Sequence, residues 1–317
     1  MKILITDDAT LKSNNDISTE RFSKYGECIV CDNISREELL KTVKDVNVIL
    51  CNKTVIDREV MEAAPTLQYV GIFATGYNNI DLACAKKRGI TVCNIAGYST
   101  NAVAQQVIGY ILMHYTRIPE YNQFVLGGGW QNAEIFSPLV YTSDEVYGKT
   151  LGIIGYGSIG KAVKRAAEGL GMKVIVNTRT VRDDGETEFT DLDTLLRSSD
   201  IVTLHCPLTE QSANMMNYET FAKMKDGAFF INTSRGGTVD EKALFDALES
   251  GKLSGAAIDV LKTEPMSKDC ALINAKNIII TPHSAWAPYS TRLRLLDLVE
   301  EKLQKFINGE DVNNLAE

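Results

Sequence analysis

Arg235, Asp259, Glu264 and His283 are the residues of this chain whose types and placement suit acid–base chemistry at a carbonyl. Arg235 follows the apolar run Phe229-Phe-Ile-Asn-Thr-Ser234, Asp259 and Glu264 follow Ala256-Ala-Ile258, and His283 follows Ile278-Ile-Ile-Thr-Pro282. Each run reads as a strand, so these groups stand at strand ends, where open α/β sheets bind their ligands. A carbonyl that takes hydride at carbon needs a proton at oxygen. Histidine carries a transferable proton near neutral pH, and a carboxylate beside an imidazole favours the charged ring. Arginine can bind a substrate carboxylate and polarise the neighbouring carbonyl. Taken singly, each has a plainer reading: His283 as a satisfied polar group, Arg235 as a turn stabiliser in Ser-Arg-Gly-Gly, Glu264-Pro265 as a loop. Their joint placement at the rim of one sheet is what points to chemistry.

The hydride carrier has its own signature. Gly155-Tyr156-Gly157-Ser158-Ile159-Gly160 follows the apolar strand Lys149–Ile154 and opens the helix-forming run Lys161–Glu168, with a second strand at Lys173–Asn177. In that strand–turn–helix–strand setting, G-x-G-x-x-G lets a pyrophosphate approach the backbone at a helix N-terminus. Out of that setting it is a common glycine-rich turn.

Strand and helix patterns alternate along the whole chain. Strands are expected at Lys2–Thr6, Cys28–Cys31, Val46–Cys51, Tyr69–Phe73 and Thr91–Cys93, and helices around Thr19–Lys24, Arg36–Lys44, Asp57–Ala63 and Asp81–Lys87. A long helix is expected from about Asn101 to Tyr115, then Gly127-Gly-Gly129-Trp130 and an irregular stretch to Tyr147. Further on, Asp191–Ser198 reads as a helix, Asp200–Leu204 and Ala228–Ile231 as strands, Thr238-x-x-Glu241 as a capping box, and Ser290–Asn308 as an amphipathic tail helix. Repeated β-α units imply α/β architecture with parallel sheets. Because the fingerprint should open a dinucleotide domain, its mid-chain position leaves a separate α/β domain in front of it. The 317 residues suffice for two cores.

Bulk properties narrow the partners. A net charge of −8 argues against nucleic acid or an anionic membrane. No apolar run approaches the ~18 residues of a membrane span, and Met1–Thr6 meets Asp7 and Asp8 too early for a secretory segment. Seven scattered cysteines do not suggest a disulfide framework. Cys28 and Cys31 would face opposite sides of a strand. Three separated histidines give no metal site. The expected protein is reduced and cytoplasmic.

Gly155–Gly160, His205-Cys-Pro-Leu-Thr209, Asn232-Thr-Ser-Arg-Gly-Gly237, Asp259-Val260 with Glu264-Pro265, and Thr281-Pro-His-Ser-Ala285 occur in this order. Together they resemble the D-2-hydroxyacid dehydrogenase family over nearly the whole chain. The resemblance implies two doubly wound parallel-sheet domains: a Rossmann dinucleotide-binding domain, residues 99–288, inserted in a flavodoxin-like substrate domain, residues 1–98 and 289–317. It makes His283 the acid/base, Glu264 its carboxylate partner and Arg235 the substrate-orienting cation. Backbone N–H groups of Thr75 and Gly76, in Phe73–Asp81, would hold the substrate carboxylate. Cofactor contacts would include the fingerprint with Tyr156, Ser158 and Ile159, and also Val103, Thr178, Arg179, Cys206, Pro207, Thr233, Ser234, Asp259, His283 and Ala285. Asp259 would meet the nicotinamide carboxamide. The segment around 101–148 would build a homodimer.

Within the family, Ala74–Asn78 and Thr281–Pro288 look most like glycerate dehydrogenases, also called hydroxypyruvate reductases, so the expected substrate is hydroxypyruvate or glyoxylate. Trp130 and Trp286 read equally well as packing aromatics or substrate-side residues. The alternatives are a reductase for another 2-oxoacid (phenylpyruvate, 2-ketogluconate), a nucleotide-sensing regulatory protein, or formate or phosphite oxidation. Formate dehydrogenases of the family pair the histidine with glutamine, so Glu264 speaks against that version. The acid that would bind an NAD ribose falls on Thr178 here, followed by Arg179 and, further on, Arg182. Threonine and arginine suit a 2′-phosphate, so NADP(H) is the expected cofactor with NAD(H) as the alternative.

Overall fold

In the computed structural model, which describes residues 1–181 and 185–316, the chain divides into two compact units. One comprises Met1–Ser99 and Ala287–Glu317, the other Thr100–Trp286.

The first unit is built on five strands: β1 (Lys2–Ile5), β2 (Glu27–Val30), β3 (Val48–Cys51), β4 (Tyr69–Ile72) and β5 (Thr91–Cys93). They lie in the order β2-β1-β3-β4-β5, every neighbouring pair parallel. Three short helices, α1 (Arg36–Thr42), α2 (Arg58–Ala63) and α3 (Leu82–Arg88), link them, started by the side chains of Ser35, Asp57 and Asp81, each accepting from a first-turn N–H. Alternation along the strands sends Leu4, Ile49, Val70 and Val92 into one core with Leu39, Val60 and Met61 of α1 and α2. The expected helix near Thr19–Lys24 is a 3₁₀ turn, Glu20–Tyr25.

At the carboxyl ends of β1 and β3, where the strand order reverses, the Asp7 carboxylate fills a concavity of backbone N–H groups. It accepts from Asn52 at 2.9 Å, Lys53 at 2.5 Å and Thr54 at 2.8 Å, and is 1% exposed. Three successive amides turned on one point form an anion nest, and here the anion is the chain's own.

The second unit opens with α4 (Thr100–Thr116) and α5 (Ile118–Leu126), followed by an irregular stretch to β6 (Thr150–Ile154). Then come α6 (Ser158–Gly169), β7 (Lys173–Asn177), β8 (Glu188–Phe189), α7 (Leu192–Ser198), β9 (Ile201–Leu204), α8 (Tyr218–Lys223), β10 (Ala228–Asn232), α9 (Glu241–Glu249), β11 (Leu253–Ile258) and β12 (Ile278–Ile280). The sheet order is β12-β11-β10-β9-β6-β7-β8, all parallel, with the chain reversing direction across the sheet between β6 and β9. That is the doubly wound order of a dinucleotide fold with an added edge strand. Alternate residues enter separate cores: Ile153, Val174, Val176 and Phe229 pack with α4 and α6, whereas Ile154, Ile175 and Phe230 pack with α7, α8 and α9. The chain then returns to the first unit as α10 (Tyr289–Ile307), whose Phe306 ring lies 4.7 Å from that of Tyr69 on β4.

Three local expectations are corrected. The cap of α9 is Asp240, whose carboxylate accepts from Lys242 and Ala243 N–H; Thr238 ends a 3₁₀ turn and gives its hydroxyl to the Arg235 carbonyl. The helices α5 and α8 were not expected: the first has Pro119 in its opening turn and the second is a single short box capped by Asn217.

Asp7→Ala would remove the carboxylate on which three backbone amides converge. It should lower unfolding stability by roughly 2–4 kcal/mol, read as a lower urea midpoint at unchanged slope.

Candidate active site

The turn between β6 and α6 shows why its three glycines occupy their places. Gly155 has φ +97°, and a Cβ there would lie 2.6 Å from the His205 carbonyl at the end of β9. Gly160 faces the Gly155 carbonyl so closely that a Cβ would overlap it, which lets α6 seat against β6. At Gly157, the residue before α6, a Cβ would meet nothing within 4 Å. A tight turn, an open approach to the helix N-terminus and a close helix–strand contact are the three jobs a pyrophosphate-binding turn requires.

Above this turn lies a cavity of about 800 Å³, lined by Gly155, Tyr156, Gly157 and Ser158 of the fingerprint, by Thr178, Arg179 and Thr180 after β7, and by His205, Cys206 and Pro207 after β9. Its size suits a cofactor of dinucleotide class. A buried polar atom without a partner supports that fit: His205, on the cavity wall, has an Nδ1 that meets no hydrogen-bonding group among the described residues, and Thr233 Oγ1, after β10, is likewise unpartnered. Such atoms cost free energy unless a ligand or water satisfies them. Residues of the fingerprint and of the β7 and β9 ends would hold the dinucleotide, which supplies hydride chemistry when bound. Arg182 lies outside the described residues.

The reactive edge is formed by the ends of β10, β11 and β12. Asp259, directly after β11, is 2% exposed, and its carboxylate accepts from the hydroxyl of Thr281, from Ser284 N–H at 2.9 Å and from Ala285 N–H at 3.0 Å. Burial raises its pKa, against the opposing effect of those donors and of the His283 charge. Its backbone carbonyl accepts from His283 N–H at 2.8 Å. Flanked on both sides by these bonds, His283 takes φ +52°, an uncommon conformation for a residue with a side chain.

The His283 ring gives its Nδ1–H to Glu264 Oε2 at 2.7 Å, leaving Nε2 for a substrate. The other Glu264 oxygen accepts from Leu261 N–H at 2.9 Å, so the carboxylate is fixed by its own loop. Gly236, next to Arg235, packs against the Leu261–Lys262 peptide where no side chain would fit, and so brings the arginine turn beside the Glu264 loop. Arg235 donates to the Ser234 carbonyl at 2.7 Å and has no carboxylate partner among the described residues. A half-buried guanidinium without a counter-ion is suited to an anionic substrate. The other two histidines are unsuited to proton exchange: burial pushes His205 down to about 3, and burial with the nearby Arg117 charge pushes His114 down to about 4.

The remaining expected contacts are placed as follows. Val103 is buried within α4, Ala285 is buried beside Asp259, and Ser234 gives its hydroxyl to Asn232 at 2.8 Å. Cys206 lies at the cavity wall with its sulfur 3.7 Å from that of Met215. Trp130 is about half exposed and donates to the Phe136 carbonyl, whereas Trp286 is half-buried. In the first unit, Thr75 is tied by its hydroxyl to the Ile95 carbonyl and by its own carbonyl to the Asn94 amide, while no acceptor among the described residues meets the N–H of Thr75 or Gly76. Sequence reasoning passed over His205 as a contact, although the motif around it was visible; its unpartnered nitrogen is evident only in three dimensions.

Comparison with known proteins agrees. Residues 108–285 match the family model described as D-isomer specific 2-hydroxyacid dehydrogenase, NAD binding domain. The chain is 41% identical over 319 residues to a hydroxypyruvate reductase of Blautia hydrogenotrophica, covering 99% of both proteins. It is 40% identical over 287 residues to a glyoxylate reductase of Korarchaeum cryptofilum, covering 89% of this chain and 86% of the relative. Among solved structures, an NADPH-dependent glyoxylate/hydroxypyruvate reductase from Sinorhizobium meliloti, in complex with NADP and malonate, superposes with a TM-score of 0.83 at 27% identity, covering 99% of this chain and 95% of that one.

The glycines separate two effects that are usually confounded. Gly157→Ala should leave thermal stability within about 1 kcal/mol yet weaken dinucleotide binding at least ~10-fold, by filling the open approach. Gly160→Ala should lower the melting temperature itself, since its Cβ meets backbone. Calorimetric titration with scanning calorimetry on both variants checks this.

Proposed function

The chain belongs to the D-isomer specific 2-hydroxyacid dehydrogenase family, and we propose that within it the protein is an NADPH-preferring reductase of hydroxypyruvate or glyoxylate. As a member it is an NAD(P)-dependent oxidoreductase acting on a small 2-hydroxyacid or its 2-oxoacid. The observation that carries the mechanism is the His283–Glu264 pair. In this reading Glu264 fixes the ring and its tautomer, and His283 gives the Nε2 proton to the carbonyl oxygen as the carbonyl carbon is reduced. Arg235 is the proposed partner of the substrate carboxylate, and Thr75 and Gly76 are kept, by the resemblance to the family, as proposed substrate-binding residues.

The NADPH preference is supported by the wall of the cavity: among its described residues Arg179 and Lys161 are cationic and none is acidic. Hydroxypyruvate and glyoxylate are favoured by the names of similar proteins, a hydroxypyruvate reductase and several glyoxylate reductases. We further read the protein as a cytoplasmic homodimer. All seven cysteines are free thiols, which suits a reducing compartment. No helix among the described residues is long and apolar enough to cross a membrane. The segment from α5 to β6 exposes Leu126 at 73%, Phe136 at 90%, Leu139 at 84% and Tyr147 at 76%, more apolar surface than a monomer usually leaves uncovered.

Following NADPH absorbance against hydroxypyruvate, glyoxylate, pyruvate, phenylpyruvate and 2-ketogluconate tests the substrate, with turnover highest on the first two. His283→Ala should reduce kcat by ~10²–10⁴ while NADPH binding, followed by fluorescence, stays within about threefold; full activity in that variant would remove the mechanism. Thr178→Asp should lower kcat/KM for NADPH at least ~10-fold more than for NADH, because the new carboxylate repels a 2′-phosphate. Equal efficiency of the wild type with the two cofactors would refute the preference.

A further inference from the structure

We propose that Lys161, on the second turn of α6, is a specificity-determining residue that binds the 2′-phosphate of NADP(H) together with Arg179. The inference rests on the NADPH reading above and gives one of the two cations on the cavity wall a direct contact with the phosphate.

Three observations place the lysine. Its ammonium lies 5.5 Å from the centre of the Tyr156 ring. Tyr156 in turn stands over the β7–β8 end of the sheet: its ring meets that of Phe189 edge-on at 5.6 Å, and its hydroxyl is 2.9 Å from that of Thr187. Phe189 is the register partner of Val176 on β7, the strand that leads directly into Thr178, Arg179 and Thr180. Lys161 thus sits on the flank of the cavity where the adenosine ribose of a dinucleotide belongs, and not on the flank formed by β10, β11 and β12 that carries Arg235 and His283.

The charge pattern of α6 is the second argument. A helix N-terminus carries partial positive charge, so acids are expected in its first turn and bases in its last. Here the first turn has no acid, Lys161 follows directly with its N–H bonded to the Gly157 carbonyl, and Glu168 stands near the far end. The arrangement runs against the helix dipole and gathers positive charge at the open end. Among the described residues neither Lys161 nor Arg179 has a carboxylate partner, whereas Lys164 on the same helix is paired with Glu168 at 2.7 Å. Two unpaired cations and a threonine hydroxyl around an opening suit a dianionic phosphate. They would gain nothing comparable from a ribose hydroxyl.

The test compares wild type, Lys161→Gln and Lys161→Arg, all as the full chain, by calorimetric titration with 2′,5′-ADP and with 5′-AMP, and by steady-state kinetics with NADPH and NADH. Lys161 is exposed, so folding is not at issue. Lys161→Gln should lose about three- to tenfold more affinity for 2′,5′-ADP than for 5′-AMP. The same ratio should appear in kcat/KM for NADPH against NADH, and the salt dependence of 2′,5′-ADP binding should become shallower. Lys161→Arg should retain the preference. Equal losses on both ligands, or none, overturn the role of Lys161 while leaving the NADPH reading intact. A wild type that binds 2′,5′-ADP no more tightly than 5′-AMP removes the reading and the inference together.

Discussion

The edge formed by the ends of β10, β11 and β12 depends on one buried carboxylate. Asp259 gathers Thr281, Ser284 and Ala285 onto its two oxygens and takes the His283 N–H on its carbonyl. A five-residue segment is thereby wound around a single side chain, and the histidine at its centre is held at a backbone angle it would not choose alone. Burial makes that carboxylate costly unless every donor is in place. The same condition that stabilises the loop therefore fixes the orientation of the ring. Tyr110 of α4, 2.5 Å from the Thr281 hydroxyl, extends this chain of hydrogen bonds into the helix that opens the unit. Asp259 was expected to meet the nicotinamide carboxamide; three of its acceptor positions already serve the backbone and Thr281, so its visible work is positioning.

Much of this was legible in the sequence because several features were over-determined. Strand, glycine turn and helix occur together around Gly155–Gly160, and parallel β-α units recur at regular intervals. The motifs bearing Arg235, Glu264 and His283 each follow an apolar run, so their common edge could be inferred from topology. The strand-by-strand alternation that separates Ile153 from Ile154 into different cores obeys a period that can be read directly. What could not be read depends on contacts between distant segments. Gly236 is indispensable because of the Leu261–Lys262 peptide that it touches, not because of its neighbours in the sequence. The cap of α9 was assigned to Thr238 by pattern, but the turn preceding the helix claimed that hydroxyl and left the task to Asp240. The helix α5 escaped notice because its exposed apolar residues give no inward stripe.

The cofactor side and the reactive side are separated along one sheet. On one flank, the loops after β7 present hydroxyls and positive charge; on the other, the loops after β10, β11 and β12 present a guanidinium, a carboxylate–imidazole pair and the carboxylate that anchors it. In the proposed function the first recognises a handle far from the reaction, and the second handles the proton. Because the two flanks are formed by different strands, changes in cofactor choice need not disturb the histidine, which makes selectivity and chemistry separable within one fold.

Both sheets of the chain are doubly wound, and each reverses its strand order at a crevice of the sort that binds ligands. In the first unit that crevice is already taken, because Asp7 supplies a tethered anion at an effective concentration no free phosphate reaches. Of two similar doubly wound sheets, one is thereby closed to an outside anion by its own chain, and the other carries the candidate dinucleotide cavity.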